Sequence, residues 1–249
     1  MTTIEMRLAQ RERPKGRPKM FHSWRHLTFL HWPVPAEELQ RLLPPGLTVD
    51  THEGVAYVGL VPFTMHSIRL SWAAAMRGLR ESHETNVRTY VVDERGVPGV
   101  WFFSLDAANP LFVRIARAWY RLPYVLAEMK VEREGDGWRY ESVRRWPASP
   151  GAASNVLVTG IGEETVVDPG SLEFFLVERY VLFSYSAGRL LSGRVFHKPY
   201  SVHKATCGYV QENLVKAAQI ERPESEPHVL YSPGVDVEVF GLVGAGSRE

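Results

Sequence analysis

The sequence predicts a mainly β, α+β fold: a mostly antiparallel sheet or barrel with a few short helices set between its strands. Three observations point there. Apolar segments of strand length recur from His26 to Leu242. Turns at Glu94-Arg95-Gly96, Gly135-Asp136-Gly137 and Ala187-Gly188 join neighbouring segments at hairpin spacing. Strands and helices do not alternate as in a βαβ chain, and no repeat period shows.

Residues 1–20 read as a flexible basic arm. "RLAQRERPKGRPKM" carries Arg7, Arg11, Arg13, Lys15, Arg17 and Lys19 with two prolines and a glycine, and no apolar periodicity. Residues 21–245 read as a single domain. "HLTFLHW" (26–32) is a strand, and "PAEELQRLL" (35–43) a short helix with proline in its first turn and Pro44-Pro45-Gly46 after its end. "GVAYVGLVPFTM" (54–65) is an apolar strand in which Pro62 signals a bulge or an edge. Residues 86–93 and 99–107 pair as a hairpin. In "NPLFVRIARAWY" (109–120) Asn109 caps a helix, Pro110 suits its first position, and Pro123 follows its end. Leu111, Ile115, Ala118 and Trp119 form its apolar stripe, which places Ile115 and Trp119 against the sheet. Residues 125–133 and 138–145 form a second hairpin, and 154–160 a further strand. Residues 171–180 are helical, a third hairpin flanks Ala187-Gly188, 211–219 is a short helix, and 235–242 a last strand.

Composition narrows the function. The chain has 249 residues, 45% hydrophobic and 23% charged, with a net charge of +1. That composition supports a sizeable core, and the charge balance offers no field for nucleic acid or an anionic membrane. No apolar run approaches a transmembrane span, and no secretory h-region opens the sequence. Cys207 is the only cysteine, so neither an intrachain disulfide nor a cysteine-based zinc site is available, and a reducing cytoplasm is expected. There is no dinucleotide fingerprint, no phosphate-binding lysine loop, no zincin helix and no nucleophile elbow. The histidines lack ligand spacing, so neither a cofactor nor a metal is expected.

"ESHETNVRTYVV" (81–92) is the stretch most suggestive of a site. As a strand it aligns Glu84, Asn86, Arg88 and Tyr90 on one face and Thr85, Val87, Thr89 and Val91 on the other. From the residues alone, this column is either a solvated outer face or the wall of a polar pocket. Outside the arm only Lys130, Lys198, Lys204 and Lys216 occur. Lys216 lies on a polar helix face and Lys130 stands between Glu128 and Glu132, so neither is tuned as a neutral amine for Schiff-base chemistry.

The ordered series "WRHLTFLHWPVPAEELQRLLPPGLTVDTHEGVAYVGLVPF", "ETNVRTYVVDERGVPGVWFFSLDA", "ARAWYRLPYVLAEM", "FLVERY", "VFHKPY" and "LYSPGVDVEVFGL" resembles the YqjF-like proteins, domain of unknown function 2071. That family is similar in turn to acetoacetate decarboxylase at superfamily level. The resemblance implies a cone-shaped, mostly antiparallel β-barrel around a closed cavity. It places Arg25 where the decarboxylase has an arginine before its first strand, and Glu84 where it has a glutamate. After the helix and Pro123, where the decarboxylase has its Schiff-base lysine, this chain has Tyr124. A further acidic residue of the decarboxylase cavity falls near Val58. The resemblance therefore implies the cavity without the iminium route.

On this reading the polar column faces inward. Glu84 and Tyr124 are the candidate catalytic residues; Arg25, Asn86, Arg88 and Tyr90 are the candidate substrate-binding residues. Glu84 is expected to stay ionised between Arg25 and Arg88. The expected ligand is a small organic acid or carbonyl compound, with no nucleic acid and no membrane, and a homo-oligomer stays open. The alternative is a non-catalytic ligand-binding or assembly module that kept the fold. Incubation with acetoacetate and borohydride should leave no covalent adduct by mass spectrometry; a mass shift mapped to Lys130 or Lys204 would show that the amine had migrated.

Overall fold

In the computed structural model, residues 2–71 and 81–246 are described. The elements in chain order are α1 (Ile4–Ala9), β1 (Met20–Val34), α2 (Ala36–Gln40), β2 (Leu47–Val49), β3 (Ala56–Leu70), β4 (Glu81–Asp93), β5 (Pro98–Ala107), α3 (Pro110–Tyr120) and β6 (Tyr124–Glu134). They continue with β7 (Gly137–Trp146), β8 (Ala153–Thr159), β9 (Glu164–Thr165), α4 (Leu172–Val177), β10 (Val181–Ser186), β11 (Arg189–Phe196), β12 (Val202–Lys204), β13 (Thr206–Glu212), α5 (Leu214–Ala217), β14 (His228–Val239) and β15 (Val243–Gly244).

Strand pairing returns on itself. β1 pairs with β3, β3 with β4, β4 with β5, β5 with β10, β10 with β11, β11 with β14, and β14 again with β1. All but β5–β10 are antiparallel. The ring branches at β5. The first half of that strand pairs with β10 through Val100 and Trp101, while its second half, Leu105–Ala107, pairs with the start of β6. From there β6, β7, β8 and β13 form an antiparallel flank.

Two apolar clusters follow from this arrangement. One fills the barrel interior and includes Leu27, Phe63, Tyr90, Phe112 and Leu176. The other joins Leu30, Val58 and Val87 of the barrel wall to Val156 of β8 and Leu214 of α5. The flank therefore covers the outer face of β1, β3 and β4, and both faces of β4 are buried. Arg144 of β7 and Asp106 of β5 pin the branch as a fully buried ion pair, Nη2 to Oδ1 at 2.9 Å. Burial of such a pair is tolerated because Ser104 and Ser142 supply further hydrogen bonds.

Local sequence explains most elements. Asn109 accepts hydrogen bonds from the Leu111 and Phe112 backbone N–H groups, and Pro110 opens α3. Ala187 and Gly188, both at positive φ, make the tight β10–β11 turn. Pro62, which has no N–H to give, lies where the β1–β3 register slips between Arg25 and Leu30, and His26 takes a positive φ there. The proline thus marks a bulge.

Several expectations need correction. α3 buries Phe112, Val113, Ala116 and Tyr120, while Leu111 and Trp119 are 40% and 49% exposed and Ile115 is partly buried. Two adjacent stripes of this helix are apolar. The buried one ends in Tyr120, whose phenol disguises it in a hydrophobicity pattern. The helix expected over 171–180 stops at Val177, and that over 211–219 shrinks to α5 because Thr206–Glu212 joins the flank as β13. The segment 1–20, expected as a flexible arm, lies against the body. Its arginines find carboxylates there: Arg7 pairs with Asp50, Arg11 with Glu178 and Arg13 with Glu238.

Truncation of α3 separates the two stripes. Phe112→Ala should lower stability by about 3–5 kcal/mol, as a large core truncation. Trp119→Ala should lower it by a fraction of that. Denaturant unfolding of the two variants checks this, and the reverse order would place the helix on its other face.

Candidate functional site

β4 brings Glu84, Asn86 and Arg88 into one cavity of about 100 Å³. Val61, Phe63 and Met65 of β3, Trp24 and Leu27 of β1, and Phe112 of α3 supply apolar wall. Alternation sets the parity: over the middle of β3, Val61, Phe63 and Met65 face inward, and Val58 packs on the outside in the second cluster. No acidic residue from that strand lines the cavity. A void this small takes a ligand of a few heavy atoms.

The cavity has two polar ends. Glu84 and Arg88 are separated by four residues of strand, about 13 Å between Cα atoms. At one end the Tyr124 hydroxyl donates to Glu84 Oε2 at 2.9 Å. Tyr124 opens β6 at the branch, and the Phe112 ring stands edge-on to its ring at 5.3 Å between centroids. Burial raises the Glu84 carboxyl to about 7; hydrogen bonds from Tyr124 and Asn86 pull it down, and the nearby Asp106 adds to the rise. Burial, then the charge of Glu84, holds the Tyr124 phenol well above its usual value. Tyr124 therefore keeps its proton at neutral pH, and Glu84 exchanges its own there.

Glu84 was expected to stay ionised between two guanidiniums, and it does not have them. Among the described residues no arginine pairs with it, so desolvation outweighs its hydrogen bonds. Arg25 points outward, because Trp24 beside it points in. Its Nη1 donates to the carbonyls of Trp24 and Val235, and its Nη2 reaches Asp236 at 2.7 Å. Arg25 does not line the cavity.

At the other end Arg88 donates through Nη2 to the carbonyl of Leu176 at 3.1 Å and to the Tyr90 hydroxyl at 3.3 Å. Tyr90 does not line the cavity either; it braces Arg88 and donates to the same Leu176 carbonyl at 2.7 Å. Asn86 lines the wall between the two ends, and its buried Oδ1 accepts no hydrogen bond among the described residues.

Sequence reasoning missed Arg179. It lies four residues after Phe175 in "FFLVERY", where a helix was expected. The backbone leaves the helix at Val177, with Glu178 at φ −85° and ψ 78°, and turns Arg179 into the cavity wall. Its guanidinium stacks over Phe175 and Tyr90, with centroids at 4.4 and 4.9 Å. Burial lowers it to about 10, which leaves it charged at neutral pH. A charged pair in the middle of an otherwise apolar run was the available signal. His22 and Tyr120 also line the cavity; burial lowers His22 to about 4, so it is neutral. No lysine lines it: Lys15, Lys19, Lys130, Lys198, Lys204 and Lys216 are all exposed. Among the described residues no three His, Cys, Asp or Glu side chains are grouped to hold a metal ion.

Residues 22–236 match the family described as "Uncharacterized conserved protein", domain of unknown function 2071. The uncharacterized protein YqjF of Bacillus subtilis (strain 168) is 34% identical over 229 residues, 92% of this chain and 93% of that one. Acetoacetate decarboxylase from Legionella pneumophila superposes with a TM-score of 0.68 at 11% identity, over 92% of this chain and 88% of the other. The enduracididine biosynthesis enzyme MppR with HEPES bound superposes with a TM-score of 0.64 at 14% identity, over 93% and 90%. At these identities the structural likeness is one of fold. The chain belongs to the domain of unknown function 2071 family and has the acetoacetate decarboxylase-like fold.

Proposed function

We propose that the protein binds a small organic acid or carbonyl compound in this cavity, and that any chemistry there runs through Glu84 and Tyr124 and not through a Schiff base. One observation carries the reading. A carboxyl raised toward neutrality, hydrogen-bonded to a phenol, lines the same cavity as two buried guanidiniums. Such a carboxyl can give or take a proton at neutral pH, and guanidiniums are suited to a carboxylate. The Tyr124 hydroxyl supplies a fixed hydrogen bond that orients Glu84. All six lysines are exposed, which supports a route without an iminium.

The fold relatives make the ligand class reasonable. MppR, which superposes with a TM-score of 0.60 at 13% identity in another complex, is captured there with pyruvate. A single cysteine, Cys207, and no described helix long and apolar enough to cross a membrane are compatible with a cytoplasmic protein.

Calorimetric titration with acetate, pyruvate and acetoacetate tests this function. Saturable binding that weakens at least about tenfold in Arg88→Gln is expected, as for loss of a charge-assisted contact. Absence of binding across the panel, or binding indifferent to Arg88, would overturn it.

The Glu84 environment makes a separate prediction. Folded, Glu84 holds its proton up to about pH 7; unfolded, it releases it near 4.5. Between these values the folded state binds the additional proton, so this group lowers stability as pH rises through the window. Glu84→Gln lacks that loss. Its stability should gain on the native protein by on the order of 3 kcal/mol between the acid and alkaline sides of the window. A constant difference across pH would mean that Glu84 titrates as a solvated carboxylate.

A further inference from the structure

The N-terminal helix reaches the cavity through its charges. Arg7 of α1 holds both oxygens of Asp50, Nη1 to Oδ2 at 2.7 Å and Nη2 to Oδ1 at 2.8 Å. Asp50 is also the carboxylate beside Arg179, whose Nη2 lies 3.2 Å from Oδ2. All three side chains are largely buried, at 10%, 8% and 2% exposure for Arg7, Asp50 and Arg179. The Arg7 fork takes the favourable bidentate geometry. Arg179 is left with a charge contact only: its Nε, Nη1 and Nη2 make no hydrogen bond among the described residues.

The second nearby carboxylate is also occupied. Glu178 Oε2 accepts from Arg11 Nε at 3.0 Å and from the Tyr180 hydroxyl at 2.6 Å, and Oε1 accepts from the Tyr200 backbone N–H at 3.2 Å. Arginines of the N-terminal segment thus engage Asp50, the acid beside Arg179, and Glu178, its neighbour in sequence. The Nε of Arg88, which lines the same cavity, is also without a hydrogen bond among the described residues. Two guanidiniums, Arg7 and Arg179, share one carboxylate, Asp50, and a third, Arg88, adds its charge beside Arg179; buried donors without acceptors of their own call for an anion.

We infer that Arg7 is a positioning residue for an anion subsite formed by Arg179 and Arg88: by taking both oxygens of Asp50, it leaves the Arg179 guanidinium free to hold a small carboxylate. The inference rests on the reading that the cavity binds such a ligand. It makes the N-terminal segment part of the binding site without contact to the ligand. Phe175 links the parts, since both Arg7 and Arg179 lie over its ring, at 5.1 and 4.4 Å.

Charge counting defines the experiment. Removal of Arg7 leaves Asp50 to Arg179 alone and lowers the positive excess by one. Removal of Asp50 as well restores the excess. Calorimetric titration with acetate and pyruvate should show binding weakened roughly tenfold in Arg7→Ala, for loss of one unit charge at short range. It should return close to the native affinity in Arg7→Ala/Asp50→Asn. Thermal unfolding of the same variants separates this from a role in folding alone, which would lower the melting temperature of Arg7→Ala while leaving the affinity of its folded fraction unchanged. Unchanged binding in Arg7→Ala, or no recovery in the double variant, would overturn the inference while leaving the binding function in place. Binding that persists unchanged in both Arg88→Gln and Arg179→Gln would instead place the ligand elsewhere. Failure of the native protein to take either probe would remove both readings together.

Discussion

Ionisable groups inside a closed barrel lose their hydration, and this constraint shapes the rest of the molecule. β4 has no solvated face. Its inner side meets the cavity, and its outer side meets the apolar cluster formed with β8, β13 and α5. A strand so placed would ordinarily be apolar throughout. Instead it carries Glu84, Asn86 and Arg88, each at most 9% exposed. The protein meets the solvation cost in different ways at the two ends. At Glu84 burial raises the carboxyl to about 7, so that it takes up a proton near neutrality, and it accepts a hydrogen bond from Tyr124. At Arg88 and Arg179 the charges persist, supported by aromatic faces, the Leu176 carbonyl and a carboxylate shared with the N-terminal helix.

The branch at β5 makes these solutions geometrically available. By giving half of its edge to β10 and half to β6, β5 closes the barrel and also launches the flank. The same branch sets Tyr124 at the start of β6, opposite Glu84. The buried Asp106–Arg144 pair fixes the crossing, and Asp106 contributes to the raised Glu84. A structural ion pair and the candidate proton-transfer group are thus electrostatically coupled.

The sequence made some of this legible. Period-two alternation in "ETNVRTY" aligns Glu84, Asn86 and Arg88, and the hairpin turns and the Asn109–Pro110 cap mark the elements around them. What alternation does not contain is which face is inside, or that both faces are buried; those depend on the flank, which pairs at long range. Arg25 entered the site through the resemblance alone; one residue of strand parity separates it from the inward Trp24. Arg179 was hidden by an apolar run that reads as helix but uncoils at its charged end. The basic N-terminal segment looks like a free arm because its partners, Asp50, Glu178 and Glu238, are distant in sequence. The buried stripe of α3 was displaced for a related reason: a tyrosine at its end counts as polar until its ring is seen packed.

The central claim is that Glu84 sits in a desolvated cavity as a carboxyl that titrates near neutrality. Selective carbon-13 labelling of glutamate side chains, with Glu84→Gln used to assign the signal, allows its carboxyl shift to be followed by NMR across the pH range. The account predicts a midpoint at about 7. A midpoint near the ordinary 4.5 would contradict it, and would mean that water or a cation reaches Glu84.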